Sequence, residues 1–272
     1  MTTNAGVIKR QGRSALARLA IAALALTGVV LMQRSQLNQP SLWVTNAAQA
    51  EQQERLRLNL LKQLPTFGFD NVIADWSLLN FLQYYGDTPA RLQTGYSLSP
   101  DYFDIITRRD PRFVDSYLFL SGTVSYQLGR PDLAIQMMDR GTAALSPQIH
   151  PKAFQIPRLK GLDQLLLLGD VPGSIRSHEL AAQWVKDTPD HAFLPLFEAT
   201  AAFLRRDPNS VPVRFQAWTS VYAQAVAVGD RQTQERAKRE ILALGGRINL
   251  KDGQLEFVPP TVKPSPSKPP RK

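Results

Sequence analysis

Apolar residues recur every three or four positions through most of this chain, and the breaks in that rhythm fall at glycine, proline and aspartate. Across residues 112–147, Phe113, Tyr117, Leu120, Val124 and Leu128 share one helical face, and Ala134, Met138, Gly141 and Leu145 form an answering face. Between them Gly129-Arg130-Pro131-Asp132 predicts a tight turn. Glycine supplies the positive φ that ends a helix, and proline just behind it takes an early helical position where no N–H is needed. Gly122 and Ser125 are small enough to admit a partner helix, so the stretch predicts two antiparallel helices.

The same punctuation returns at Gly86-Asp87, Gly169-Asp170 and Gly229-Asp230, each closing an apolar helix, with a longer last interval that leaves room for one more. The spacing predicts an almost wholly apolar helix from Asp70 as N-cap, and a helix from Ser99-Pro100 to the Asp110-Pro111 stop. It further predicts a pair over 152–168 and 174–186, a single helix over 191–206, and a final pair over 213–228 and 231–244. Upstream, residues 51–64 form an amphipathic helix with Leu56, Leu60 and Leu64 on one stripe and Leu61 beside it, expected to pack on the helices that follow; contact with a membrane surface is the alternative, weakened because Glu51 and Glu54 offset part of the charge of Arg55, Arg57 and Lys62. Near the end, residues 248–257 change period from 3.6 to 2. Asp252-Gly253 is a two-residue hairpin turn that sets Leu250 opposite Leu255 and Ile248 opposite Phe257. Their shared face is expected to cap the helical stack. Residues 258–272 are rich in proline and lysine and are expected to stay extended or disordered, with a PxxP spacing that a partner could read.

On the residues quoted for 112–147, the chain resembles the tetratricopeptide repeat, a helix–turn–helix unit of about 34 residues with small residues where its helices cross. Gly122, Gly129, Ala134, Ile135 and Gly141 match the family's small or apolar positions, Gly141 standing where the family usually carries alanine, and Pro147 closes the unit. Tyr117, Phe119 and Tyr126 serve its aromatic positions loosely, and residues 70–111 read as a longer, degenerate unit. The resemblance implies an all-α, irregular solenoid of antiparallel helix pairs that binds proteins, because one unit cannot bury its own faces. Tyr117, Tyr126 and Arg130 are the candidate binding residues that repeat geometry suggests.

Charge changes this picture only at the ends. The net charge of +9 lies wholly in residues 1–34 and 258–272, both free of acids, so the middle is formally neutral and offers no basic domain face for nucleic acid. Within residues 1–34, the basic start is followed by an apolar run from Leu19 to Met32. Extended back to Ala15, with Arg18 snorkelling, it covers about 27 Å as a helix, close to a hydrocarbon core of about 30 Å. An uncleaved anchor over 15–32 and a signal segment cleaved after Ala48-Gln49-Ala50 both fit. Either leaves the N-terminus in the cytoplasm and carries the domain across the membrane, to a periplasmic or lumenal side. Four regions result: anchor or signal over 1–34, linker and amphipathic helix over 35–69, helical domain with its terminal hairpin over 70–257, and tail over 258–272.

Chemistry is sparse. The chain has no cysteine, so it forms no disulfide or thiolate metal site. His150, His178 and His191 stand too far apart for a helical metal pair, no phosphate-binding glycine loop or nucleophile elbow occurs, and Ser265-Pro-Ser-Lys268 lies in the tail. No cofactor and no metal are expected. Asp75, inside an apolar helix, is the most suggestive carboxylate, with Glu179 second. The expectation is a membrane-anchored scaffold or assembly factor that binds membrane-associated proteins. Two alternatives stand beside it: a permanent accessory subunit of a membrane complex, and an envelope hydrolase using Asp75 or Glu179.

Overall fold

A computed structural model describes residues 20–34, 42–251 and 254–261. The chain divides after Asn46 into two units. The first holds helix α1, residues 20–34, and the short α2, Leu42–Thr45. Apolar side chains of α1 stand in the open, Leu24 at 73% and Met32 at 70% exposure. Among the described residues no helix is long and apolar enough to cross a membrane. Of the anchor expected over 15–32, residues 15–19 lie outside the described residues, as do Asp252, Gly253 and the tail from residue 262.

The second unit is predominantly helical and ends in a two-stranded antiparallel sheet. Its helices are α3 (Ala47–Gln63), α4 (Asp70–Gly86), α5 (Thr88–Thr94), α6 (Ser99–Arg109), α7 (Ser116–Leu120), α8 (Pro131–Ala144), α9 (Gln155–Asp163), α10 (Val171–Val185), α11 (Leu194–Arg206), α12 (Val211–Ala227) and α13 (Arg231–Ala243). Helix α7 runs on as a π-helical segment, Ser121–Gln127, and α9 as another, Gln164–Leu168. The glycine turns form as their chemistry requires. Gly129, Gly169 and Gly229 take φ of 59°, 73° and 68°, and Asp170 and Asp230 cap the next helices by accepting from Gly173 and Thr233 backbone N–H groups. Gly86 differs: Asp87 behind it caps the short α5 where the pattern suggested a loop.

Neighbouring helices pack in order along much of the chain, α4 on α6, α6 on α8, α8 on α9, α9 on α10 and α10 on α11. Helix α12 breaks the sequence. It packs on both π-helical segments, and α13 packs on α12, so the last pair folds back over the first helices of the two preceding pairs. There Leu167, Phe215, Trp218, Val221, Ala237 and Ile241 are buried together, with Tyr126 and Phe257 against them. A second core joins Phe154, Ala181, Val185 and Phe197. Near α4, the rings of Phe81, Tyr84, Tyr102 and Phe103 meet edge-on or tilted, Phe81 to Phe103 at 4.6 Å.

Two glycines sort the crossing points. A Cβ on Gly141 would lie 2.6 Å from the Tyr117 ring and 2.9 Å from Ile156, so only glycine lets α8 approach there. Gly122 faces open space and is no crossing point. The close positions beside it belong to Ser121 and Ser125.

Strands β1 (Arg247–Lys251) and β2 (Gln254–Val258) pair Ile248 with Phe257 and Leu250 with Leu255. The expected cap is only half realised. Phe257 packs edge-on against Tyr222 of α12 at 4.7 Å, while Leu250 at the far end is 74% exposed. A five-residue strand outruns the surface it leans on, so its root is covered and its tip is not.

Candidate interaction surface

Helix α3 inverts the face its sequence suggests. Leu56, Leu60 and Leu64, the stripe expected to pack inward, are 65%, 63% and 51% exposed, whereas Leu58, Ala47 and Ala50 are buried. The reason lies in α6, which presents acids and a tyrosine to α3. Lys62 Nζ lies 2.7 Å from Asp101 Oδ1, Tyr102 donates its hydroxyl to Glu54, and Ser97 donates to Glu51. Arg109 on α6 donates to Asp70 and to the carbonyls of Lys62 and Leu64. With Glu51, Glu54 and Lys62 held against these partners beside the buried Leu58, α3 turns Leu56 and Leu60 outward, and Leu64 just past its end stands open as well.

The row continues through the turn into α4. Phe67, at φ 49° and 85% exposed, and Phe69, at 63%, stand in the connection. Val72, Trp76 and Leu79 follow on the outer face of α4, opposite the buried Ala74, Ser77, Phe81 and Tyr84. A helix apolar nearly all round must be covered on most sides, and here one side has no cover among the described residues. Large side chains exposed in one run mark interaction sites, since burying each is worth about 1.5–3 kcal/mol.

Asp75 is exposed on α4 beside Trp76, the ordinary place for a lone acid at a helix edge. Among the described residues the buried carboxylate is Asp163, at 0% exposure, accepting from the Ser121 hydroxyl at 2.9 Å and from Ser125. Burial outweighs those bonds and pushes its pKa up to about 6. A pair of serines four apart on one helix and an aspartate leading into Gln164-Leu-Leu-Leu-Leu168 was the available signal, legible only once the two helices were known to cross. Glu179 is paired with Arg205 of α11, far along the chain from Asp75. Helix α4 packs on α5 and α6, and α10 on α9 and α11, so the two hydrolase candidates belong to separate packing neighbourhoods. His178 lies against Gly161 with Nδ1 2.8 Å from the Ser174 carbonyl, and burial lowers its pKa. Among the described residues no cluster of three or more histidines and acids is placed to hold a metal.

The three binding candidates fare differently. Tyr117 is fully buried, its hydroxyl donating to the Pro111 carbonyl at 2.9 Å, so it is a core residue with no face toward a partner. Tyr126 is half-buried beneath the folded-back α12, and burial raises its pKa. Repeat geometry suggested an open surface for both, and the chain's own last hairpin takes that place for Tyr126. Arg130 stays at the surface, its Nη2 2.8 Å from Asp132, and lines two adjoining cavities. No family model, no curated protein and no solved structure matches the chain.

Proposed function

We propose that this protein is a membrane-anchored scaffold, of tetratricopeptide-like helix pairs, that holds or helps assemble a membrane protein complex. The observation that carries the reading is the series of large apolar side chains between Leu56 and Leu79, on α3, its connection and the outer face of α4, that nothing covers among the described residues. Its occupant is an apolar surface of a membrane-protein client, because rows spaced i, i+4, i+7, as Val72, Trp76 and Leu79 are, are the anchors by which a helix docks on an apolar partner. Amide side chains, Gln52, Gln53 and Asn59, flank the leucines of α3, which suits a protein face better than an anionic lipid surface.

A photo-crosslinking residue placed at Phe67 or Trp76 in cells should capture one membrane complex or its assembly intermediates. The same residue at Glu235, exposed on α13, should not. Equal capture from the two faces, or none from the α3–α4 row, overturns the proposal. Loss of the protein whenever the captured complex is deleted would identify it as a permanent subunit.

A further inference from the structure

The fold-back of α12 and α13 builds a second feature, a trench beside the Gly129–Asp132 turn made of two adjoining cavities of about 360 and 480 Å³. Arg130 and Arg236 line both. Arg231 lies only in the smaller, and Arg214 and Arg239 only in the larger, so five guanidiniums are spread along the trench. Its three acids offset them incompletely. Asp132 is engaged by Arg130, and Asp230 accepts from the Thr233 N–H and hydroxyl as the α13 cap, which leaves Glu240 in the larger cavity. Arg236 Nη1 donates to the carbonyls of Leu128 and Gly129. Arg214 packs over Gly169, where a Cβ would meet its guanidinium at 2.7 Å, and its buried Nε has no hydrogen-bond partner among the described residues. Among the described residues no carboxylate lies within ion-pair distance of Arg214, Arg231 or Arg239.

Like charges held along one wall repel unless an anion joins them, and guanidiniums match carboxylates in paired geometry. Burial and the neighbouring Arg130 depress the pKa of Arg236, as expected of a cation crowded by its own kind. The lining is mostly polar, unlike the apolar pockets that enclose small organic ligands. Charge distributed along a length suits a linear polyanion better than a single phosphate.

We infer that the trench binds an acidic peptide segment of a partner protein, its carboxylates running past Arg231, the Arg130–Arg236 pair, and Arg214 with Arg239. This site is separate from the apolar row, and it stands or falls independently of the membrane reading.

The test is fluorescence anisotropy of a labelled hexaglutamate peptide with the full-length protein in neutral detergent micelles. Wild type should bind, with affinity falling steeply as salt rises. The Arg214→Gln/Arg239→Gln double variant should bind at least tenfold more weakly, and Arg239→Gln alone, at an exposed position, severalfold more weakly with an unchanged thermal melt. Arg205→Gln, which touches Glu179 elsewhere, should bind as wild type. Affinity unchanged in Arg239→Gln and in the double variant would assign the binding to the basic termini and overturn the inference. So would inorganic phosphate competing as strongly as the peptide, because that marks a site for one anion only.

Discussion

The α3–α4 pair and the α12–α13 pair are built from similar material and end up in opposite situations. Both contain an apolar helix beside a charged one. In α12–α13, Trp218 and Val221 on one helix and Ala237 and Ile241 on the other are buried, because α12 lies across two π-helical segments that present apolar side chains and free carbonyls. The Trp218 indole N–H donates to the Leu167 carbonyl at 3.1 Å, and Arg236 and Thr233 serve the carbonyls at the other segment's end. For α3 the neighbour is α6, which presents acids, and the charged side goes inward instead, while α4 turns Phe81 and Tyr84 to the rings of α6 and leaves Val72, Trp76 and Leu79 outside. Which side of an amphipathic helix is buried therefore depends on what the neighbour offers, hydrogen-bond acceptors and apolar surface in one case and carboxylates in the other.

The largest expected effect sets one tryptophan against another. Trp218→Ala should cost about 3–5 kcal/mol in a denaturant melt, through lost packing and an orphaned carbonyl. Trp76→Ala should change stability by no more than about 0.5 kcal/mol, yet lose the client crosslinks. A large loss of stability in both would mean that α4's outer face is covered after all.

A smaller effect probes the covered region through Asp163. Its pKa is raised from 3.8 to about 6 in the folded chain. Between those values the native state keeps a proton that the unfolded chain has released, so rising pH favours unfolding. The penalty is absent below about pH 4 and complete above about pH 6, on the order of 2–3 kcal/mol. Asp163→Asn should flatten that window. The difference between the stability–pH curves of variant and wild type, measured by denaturant melts from pH 4 to 7, isolates this group from others that titrate. A constant difference across the range would place the carboxylate in water.

Smallest is a pair of glycines nineteen positions apart in one repeat-like unit. Gly141→Ala should destabilise by about 1–3 kcal/mol, since Tyr117 and Ile156 already occupy the space. Gly122→Ala should be neutral, or stabilising by up to about 1 kcal/mol, in thermal melts. Equal costs at the two sites would put Gly122 back at a helix crossing.

Much of the helical order was legible in the chain. The pairs at 112–147, 152–186 and 213–244, the single helix after Pro189 and the hairpin register all follow from hydrophobic period and from glycine and aspartate punctuation, which act within a few residues. Less legible were the details set by neighbours. The π-helical widening at Ser121–Gln127 coincides with Ser121 and Ser125 both reaching Asp163, a residue about forty positions on. Asp75 drew attention because its own helix is apolar, yet the carboxylate's burial depends on what lies opposite, and there it faces outward. Tyr117 and Tyr126 looked available because repeat geometry assumes an open inner face. Arg130, on a turn, remained accessible.

Local physics, then, is what the sequence determined by itself: the order of most helices, the positive φ of Gly129, Gly169 and Gly229, and how the final strands pair, though not the caps, since Asp70 and Ser99, expected as N-caps, lie inside their helices. Those choices depend on backbone sterics, capping and turn chemistry within one segment. Tertiary structure decided which face of α3 is buried, which carboxylate loses its water, and that the last helix pair returns over the earlier ones. Each of these depends on free-energy differences between whole faces brought together from distant parts of the chain, and no stretch of sequence carries its partner's surface within it.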